Sequence, residues 1–146
     1  MSVIADVVAV LNGRTAIKNL LFTAKNGAKA IRPSVLDQGD LISATAGGIA
    51  VRSKSKDPKN TLEFAVSKEC TVELLIDCVG KTSLQCNAIA DQVSDYLDIY
   101  QGTQAGGFIH GFVVDDRVED WVTNDDGTRT GEYCVELPVT CLYRRN

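Results

Sequence analysis

One stretch constrains the fold more than any other. Leu62, Phe64, Val66, Cys70, Val72, Leu74, Ile76 and Cys78 all stand on even positions, and Lys68 alone breaks the series. The odd positions are mainly polar: Glu63, Ser67, Glu69, Thr71, Glu73 and Asp77. Successive strand side chains point to opposite faces, so this alternation predicts a β-strand with one face buried. A straight strand over 62–78 would far exceed the usual ~5–6 residues. Lys68 is therefore expected to mark a bend, a bulge, or the place where an extended hairpin around 49–70 leaves the body. The run Ile49, Val51 and Ser53 would form the other arm. Asp57-Pro58 would make the turn, because Asp and Pro suit its first two positions.

The following segment reads as a helix. Thr82 and Gln85 match the capping box, in which each side chain satisfies an otherwise orphan backbone N–H. Cys86, Ile89, Val93, Leu97 and Tyr100 then recur at helical spacing, while Asn87, Asp91, Ser94, Asp95 and Asp98 form a polar face. Gly102 is expected to end the helix. After Gly106-Gly107 come two β-rich runs, 108–122 and 133–143, separated by Asn124-Asp125-Asp126-Gly127. Asp-Gly between such runs is a strong hairpin signal. Tyr133, Val135, Leu137, Val139, Cys141 and Tyr143 share one face. Pro138, of opposite parity, cannot donate to a ladder, which places the last strand at a sheet edge or Pro138 at a bulge.

The N-terminal part is less patterned. Val3, Ile4, Val7, Val8 and Leu11 have helical spacing, with Ser2 as cap and Gly13 as stop. Segment 15–23 fits either a helical turn or a strand start. Segment 24–48 reads as mostly loop, with a short strand near 34–36. The sum is an α+β fold: a mostly antiparallel sheet with one long helix and a short N-terminal helix packed on one face. The chain has 146 residues, which fits a single domain over 1–146.

Composition limits the function. The chain is 45% hydrophobic and 23% charged, a globular balance, and its net charge of −4 argues against a dedicated nucleic-acid binder. No secretory signal is visible, and the apolar run 3–11 is too short to span a bilayer. The five cysteines are odd in number, widely spaced and lack C-x-x-C, so they read as buried thiols in a reducing compartment.

The candidate chemistry is thin. Gly80-Lys81-Thr82 lacks the earlier glycine of a phosphate-binding loop, since Leu75 stands there. Aligning Gly127 with the sixth position of a calcium loop puts Val122 where an oxygen ligand is needed. His110 shares the parity of Phe108, Phe112 and Val114 and reads as a half-buried strand residue; no particular cysteine is paired with it. Asp115, Asp116, Glu119 and Asp120 form an acidic face, read as solvated or as an electrostatic docking surface. Arg52, Lys54, Lys56 and Lys59 form a basic cluster on the Asp57-Pro58 turn, suited to an acidic partner or to passing DNA. No catalytic, cofactor or metal residues are expected.

The run 70–77 (Cys-Thr-Val-Glu-Leu-Leu-Ile-Asp), then Ala88-Ile89-Ala90-Asp91-Gln92-Val93 with Tyr96-Leu97, then an extended strand, Asp125-Asp126-Gly127 and the ending Leu142-Tyr143-Arg144-Arg145, resembles the tail terminator, or tail completion, proteins of long-tailed bacteriophages. The resemblance covers roughly residues 60–145 and rests on element order, spacing and hydrophobic pattern. It implies a non-enzymatic virion protein, assembled in the host cytoplasm, that forms a ring, typically a hexamer, on the head-proximal end of the tail tube. The ring would stop tube polymerisation and present a surface to the head–tail connector, with DNA passing through it without sequence-specific binding. The implied partners are thus other copies of the chain, the tail tube protein and the connector protein, and no membrane. A closed ring needs two complementary patches per subunit, and Asp115–Asp120 with Arg52–Lys59 would supply such a pair. The alternatives are another neck or tail-tube joining subunit, or a small cytoplasmic ligand-binding or enzymatic domain.

Overall fold

The alternating run forms β3 (Glu69–Gly80), and the run after the Asp-Gly turn forms β7 (Arg129–Arg145). In the computed structural model, which describes residues 3–37, 39–54 and 69–146, these two pair antiparallel from Glu69↔Arg144 to Gly80↔Tyr133. The other elements, in chain order, are α1 (Val3–Asn12), α2 (Thr15–Lys18), β1 (Ile31–Pro33), β2 (Gly48–Ser53), α3 (Ser83–Ile99), β4 (Gly102–Thr103), β5 (Gly107–Val114) and β6 (Val118–Thr123). The sheet order is β1-β2-β3-β7-β5-β4, and β6 also pairs with β7. The architecture is mixed and strand-rich. Its pairings are antiparallel except that of β1 with β2, which is parallel.

The core follows the alternation. Leu74, Ile76 and Cys78 of β3 and Val135, Leu137, Val139, Cys141 and Tyr143 of β7 are buried. They join Val7, Val10 and Leu11 of α1 and Cys86, Ile89, Val93 and Leu97 of α3 in one cluster. Tyr100 is only half-buried and is the C-cap of α3 rather than a member of its stripe. Gly102 does more than follow the helix, because Gly102–Thr103 pairs with β5.

The cap of α3 differs from the expected box in one bond. Thr82 Oγ1 accepts from the Gln85 N–H at 3.2 Å, as expected. Gln85 Oε1 accepts instead from Lys81 N at 2.8 Å, and Gln85 Nε2 donates to the Ser43 carbonyl at 2.8 Å. One side chain thereby caps the helix and ties down the loop before β2.

Several expectations are corrected. The run 108–122 is two strands, β5 and β6, broken at 115–117. Both lie along the same side of β7, which changes the meaning of Pro138. The final strand is central, not an edge. The Pro138 carbonyl accepts from Asp115 N at 2.9 Å, so its missing N–H faces the break between β5 and β6. A central strand tolerates a proline there because no ladder acceptor stands opposite. The short strand expected at 34–36 lies at Ile31–Pro33, where Ile31 meets Ile49, and Ser34 ends it with φ 68°. Segment 15–23 is one helical turn followed by isolated bridges at Leu21 and Thr23.

The hairpin is as expected. Asn124 N donates to Thr128 O at 2.7 Å, and Gly127 N to Asn124 O at 2.9 Å. Gly127 has φ +85°, a conformation natural to glycine. The Ser2 cap, Lys68, the Asp57-Pro58 turn and most of the extended hairpin around 49–70 lie outside the described residues.

Candidate functional site

The two charge clusters read from sequence are placed very differently. Arg52 lies on the sheet face away from the helices. There Asp77 and Glu136 are direct cross-strand partners on β3 and β7. Like charges facing each other destabilise a sheet. Arg52 resolves this by bonding Asp77 at 2.8 Å and Glu136 at 2.6 Å. Its guanidinium is held above its ordinary pKa, first by the bond to Asp77. Arg52 is thus a bridge across three strands. Arg52→Gln should lower stability by about 1 kcal/mol in urea unfolding at neutral pH, since two facing carboxylates lose their bridge. An unchanged midpoint would show that water screens the pair. Lys54 is exposed just beyond β2, with its N–H on Glu73 O at 3.2 Å. Lys56 and Lys59 lie outside the described residues.

The acidic residues also separate. Glu119 accepts from Asn87 Nδ2 at 2.8 Å, Ser83 Oγ at 3.1 Å and Tyr133 Oη at 3.4 Å. The Asn87 bond is the first cause that holds this carboxyl below its ordinary pKa. Arg117 bonds Asn87 at 2.8 Å and Asp91 at 3.0 Å. Glu119 and Arg117 therefore pin β6 to α3. Asp115 and Asp116 are exposed in the break, and Asp120 is exposed on β6. Among the described residues, no group of three His, Cys, Asp or Glu side chains is placed to hold a metal.

Beside them is a cluster that the sequence reading did not single out. Trp121 and Tyr133 meet edge to face at 5.1 Å, and the Arg129 guanidinium lies 4.9 Å from the centre of the indole. Trp121 pairs with Tyr133 across the ladder. Their equal sequence distance from Gly127 was the available signal. Trp, Tyr and Arg are the residues most enriched where proteins bind one another strongly.

The opposite end of the sheet has another character. Arg32 grips Asp40 through two bonds of 2.9 Å, and Asp40 also accepts from Asp37 N at 2.9 Å. The Arg32 bond is the main cause that lowers the Asp40 pKa. This pinned loop exposes Val35 and Leu41, at 70% and 66%. Lys25 is exposed in the turn before β1, and Lys29 Nζ bonds Thr23 Oγ1 at 2.6 Å.

Two other readings meet specific obstacles. His110 sits at the register shift of β5, so it is exposed rather than half-buried, with Nε2 3.1 Å from Glu69. Burial pushes the thiols of Cys86, Cys134 and Cys141 up to about 12 and that of Cys78 well above its ordinary value. Protonated thiols are poor nucleophiles. The Lys81 amide, which a phosphate cradle would use, is already held by Gln85.

One buried polar group was also missed. Asp6 of α1 is 3% exposed and accepts from Tyr143 Oη at 2.6 Å and Gly106 N at 3.1 Å. Burial, and then Asp6, push the Tyr143 hydroxyl upward, so it stays a donor.

Comparison with known proteins finds no matching family model and no matching curated protein. Among solved structures, a chain from the virion of a native gene transfer agent particle is similar in fold. The TM-score is 0.67 at 14% identity, over 98% of this chain and 95% of that one.

Proposed function

We propose that this protein is a structural virion component of the tail-terminator type. Acting as a single domain, it forms a ring on the head-proximal end of a tail tube, stops tube polymerisation and receives the head connector. The observation that carries this reading is the likeness in fold, over nearly the whole of both chains, to a chain of a gene transfer agent virion. The element order and motifs at 70–77, 88–97 and 125–145 support the narrower terminator role by resemblance. The inferred partners are other copies of the chain, the tube protein and the connector; DNA passes through the ring unread. The role needs no catalytic residue or cofactor.

The same likeness would suit a tube or other neck subunit, and the two differ in how they assemble. A terminator stops at a closed ring, whereas a tube subunit grows into filaments. Size-exclusion chromatography with light scattering, followed by negative-stain imaging, separates them. The expected result is a closed ring of about six subunits, the resemblance's number, built head to tail. Filaments would assign the tube role, and a monomer at every concentration would overturn the ring.

A further inference from the structure

We propose that the ring contact seats the β6 edge of one copy against the β1 end of the sheet in the next. This rests on the ring reading above. β6 pairs with β7 alone among the described strands, and none of them lies along its outer edge. Asp120 and Val118, which is 59% exposed, stand on this strand, and Asp115 and Asp116 are exposed in the break that leads into it. Val118 and Asp120 pair with Glu136 and Cys134 and so share the sheet face away from α3, whereas Trp121, with Arg129 stacked on it, pairs with Tyr133 on the other face.

The β1 end has the complementary chemistry. Lys25 and Lys29 precede β1, and exposed Val35 and Leu41 follow it beside the Arg32–Asp40 pair. Each surface therefore offers exposed aliphatic groups beside a charge cluster, three carboxylates at 115–120 and two ammonium groups before β1, with the Asp37 carboxylate also exposed on the β1 loop. A two-fold contact of the acidic edge with itself would set carboxylate against carboxylate. A head-to-tail contact sets carboxylate against ammonium. Opposite ends of one sheet are the places from which a head-to-tail ring propagates. Strand addition is not the mode of contact, because β1 is only three residues long and ends in Pro33. Docking is by side chains, with Val118 as the apolar centre on one copy, Val35 and Leu41 on the next, and the charges as the rim.

The test is a charge swap in the full chain. Asp115→Lys, Asp116→Lys and Asp120→Lys together should raise the concentration needed for half-assembly about 100-fold in light scattering, by setting like charges together. Adding Lys25→Asp and Lys29→Asp should restore assembly. All five residues lie on the surface read as the contact, so the thermal unfolding of the monomers should be unchanged. A triple variant that assembles like wild type, or a failed rescue in a folded protein, would overturn this contact while leaving the ring intact. A wild type that never forms a ring would overturn the ring reading and this contact with it.

Discussion

Asp6→Ala is expected to lower unfolding stability by about 3 kcal/mol, because it strands two buried donors at once. Asp6 lies on the buried stripe of α1, among Val3, Val7 and Val10, where the helical pattern alone calls for an apolar residue. Its carboxylate accepts from the Tyr143 hydroxyl and from the Gly106 amide. Both donors are on buried residues, and Tyr143 is 2% exposed. An unsatisfied buried donor costs about 1–3 kcal/mol, and bonds to a charged acceptor stand at the upper end of what a hydrogen bond contributes. Tyr143→Phe should cost less, since Gly106 still bonds the carboxylate. Urea unfolding with an unchanged slope measures both. A loss below about 1 kcal/mol for Asp6→Ala would mean that water takes the place of the carboxylate.

Gly107→Ala is the second large effect, and its cause is steric. A Cβ at Gly107 would run into the Arg144 carbonyl oxygen and stand 2.9 Å from the Tyr143 ring. Neither obstacle can move freely: Gly107 is paired with Arg145, and Tyr143 is held by Asp6. Overpacking of this kind costs about 3 kcal/mol, or roughly 10 °C in Tm for a chain of this size. Gly111 on the same strand is the internal control. A Cβ there meets nothing within 4 Å. Gly111→Ala should therefore be neutral or slightly stabilising, through the loss of freedom in the unfolded chain. Equal effects at the two glycines would sink the steric account.

The elements that could be read from sequence are those whose signal is local. β3 announces itself by alternation, α3 by its cap and stripe, and the final hairpin by Asp-Gly, since each signal is a pattern within a short stretch of chain. The β5 pattern misled for an equally local reason. The register shift at His110 puts Ile109 and Phe112 on the buried face, which no strict period of two can produce. The candidate contacts were legible as charges but not as neighbours. Arg52 and Lys54 are close in sequence, yet Arg52 belongs to Asp77 and Glu136, which reach it from two other strands.

By itself the sequence determined the buried faces of β3, α3 and β7, the turn at Gly127, and that the long β3 and β7 runs must find partners, because hydrophobic periodicity and turn chemistry are properties of short stretches. Tertiary structure alone decided which partners they find. β7 lies at the centre, with β3 on one side and β5 then β6 on the other, so Pro138 falls where no acceptor waits for its missing N–H. The same packing brings Asp6 to Tyr143 and Glu119 to Asn87 and Ser83. Such placements depend on residues far apart in the chain, whose meeting is set by packing and strand register rather than by any local preference.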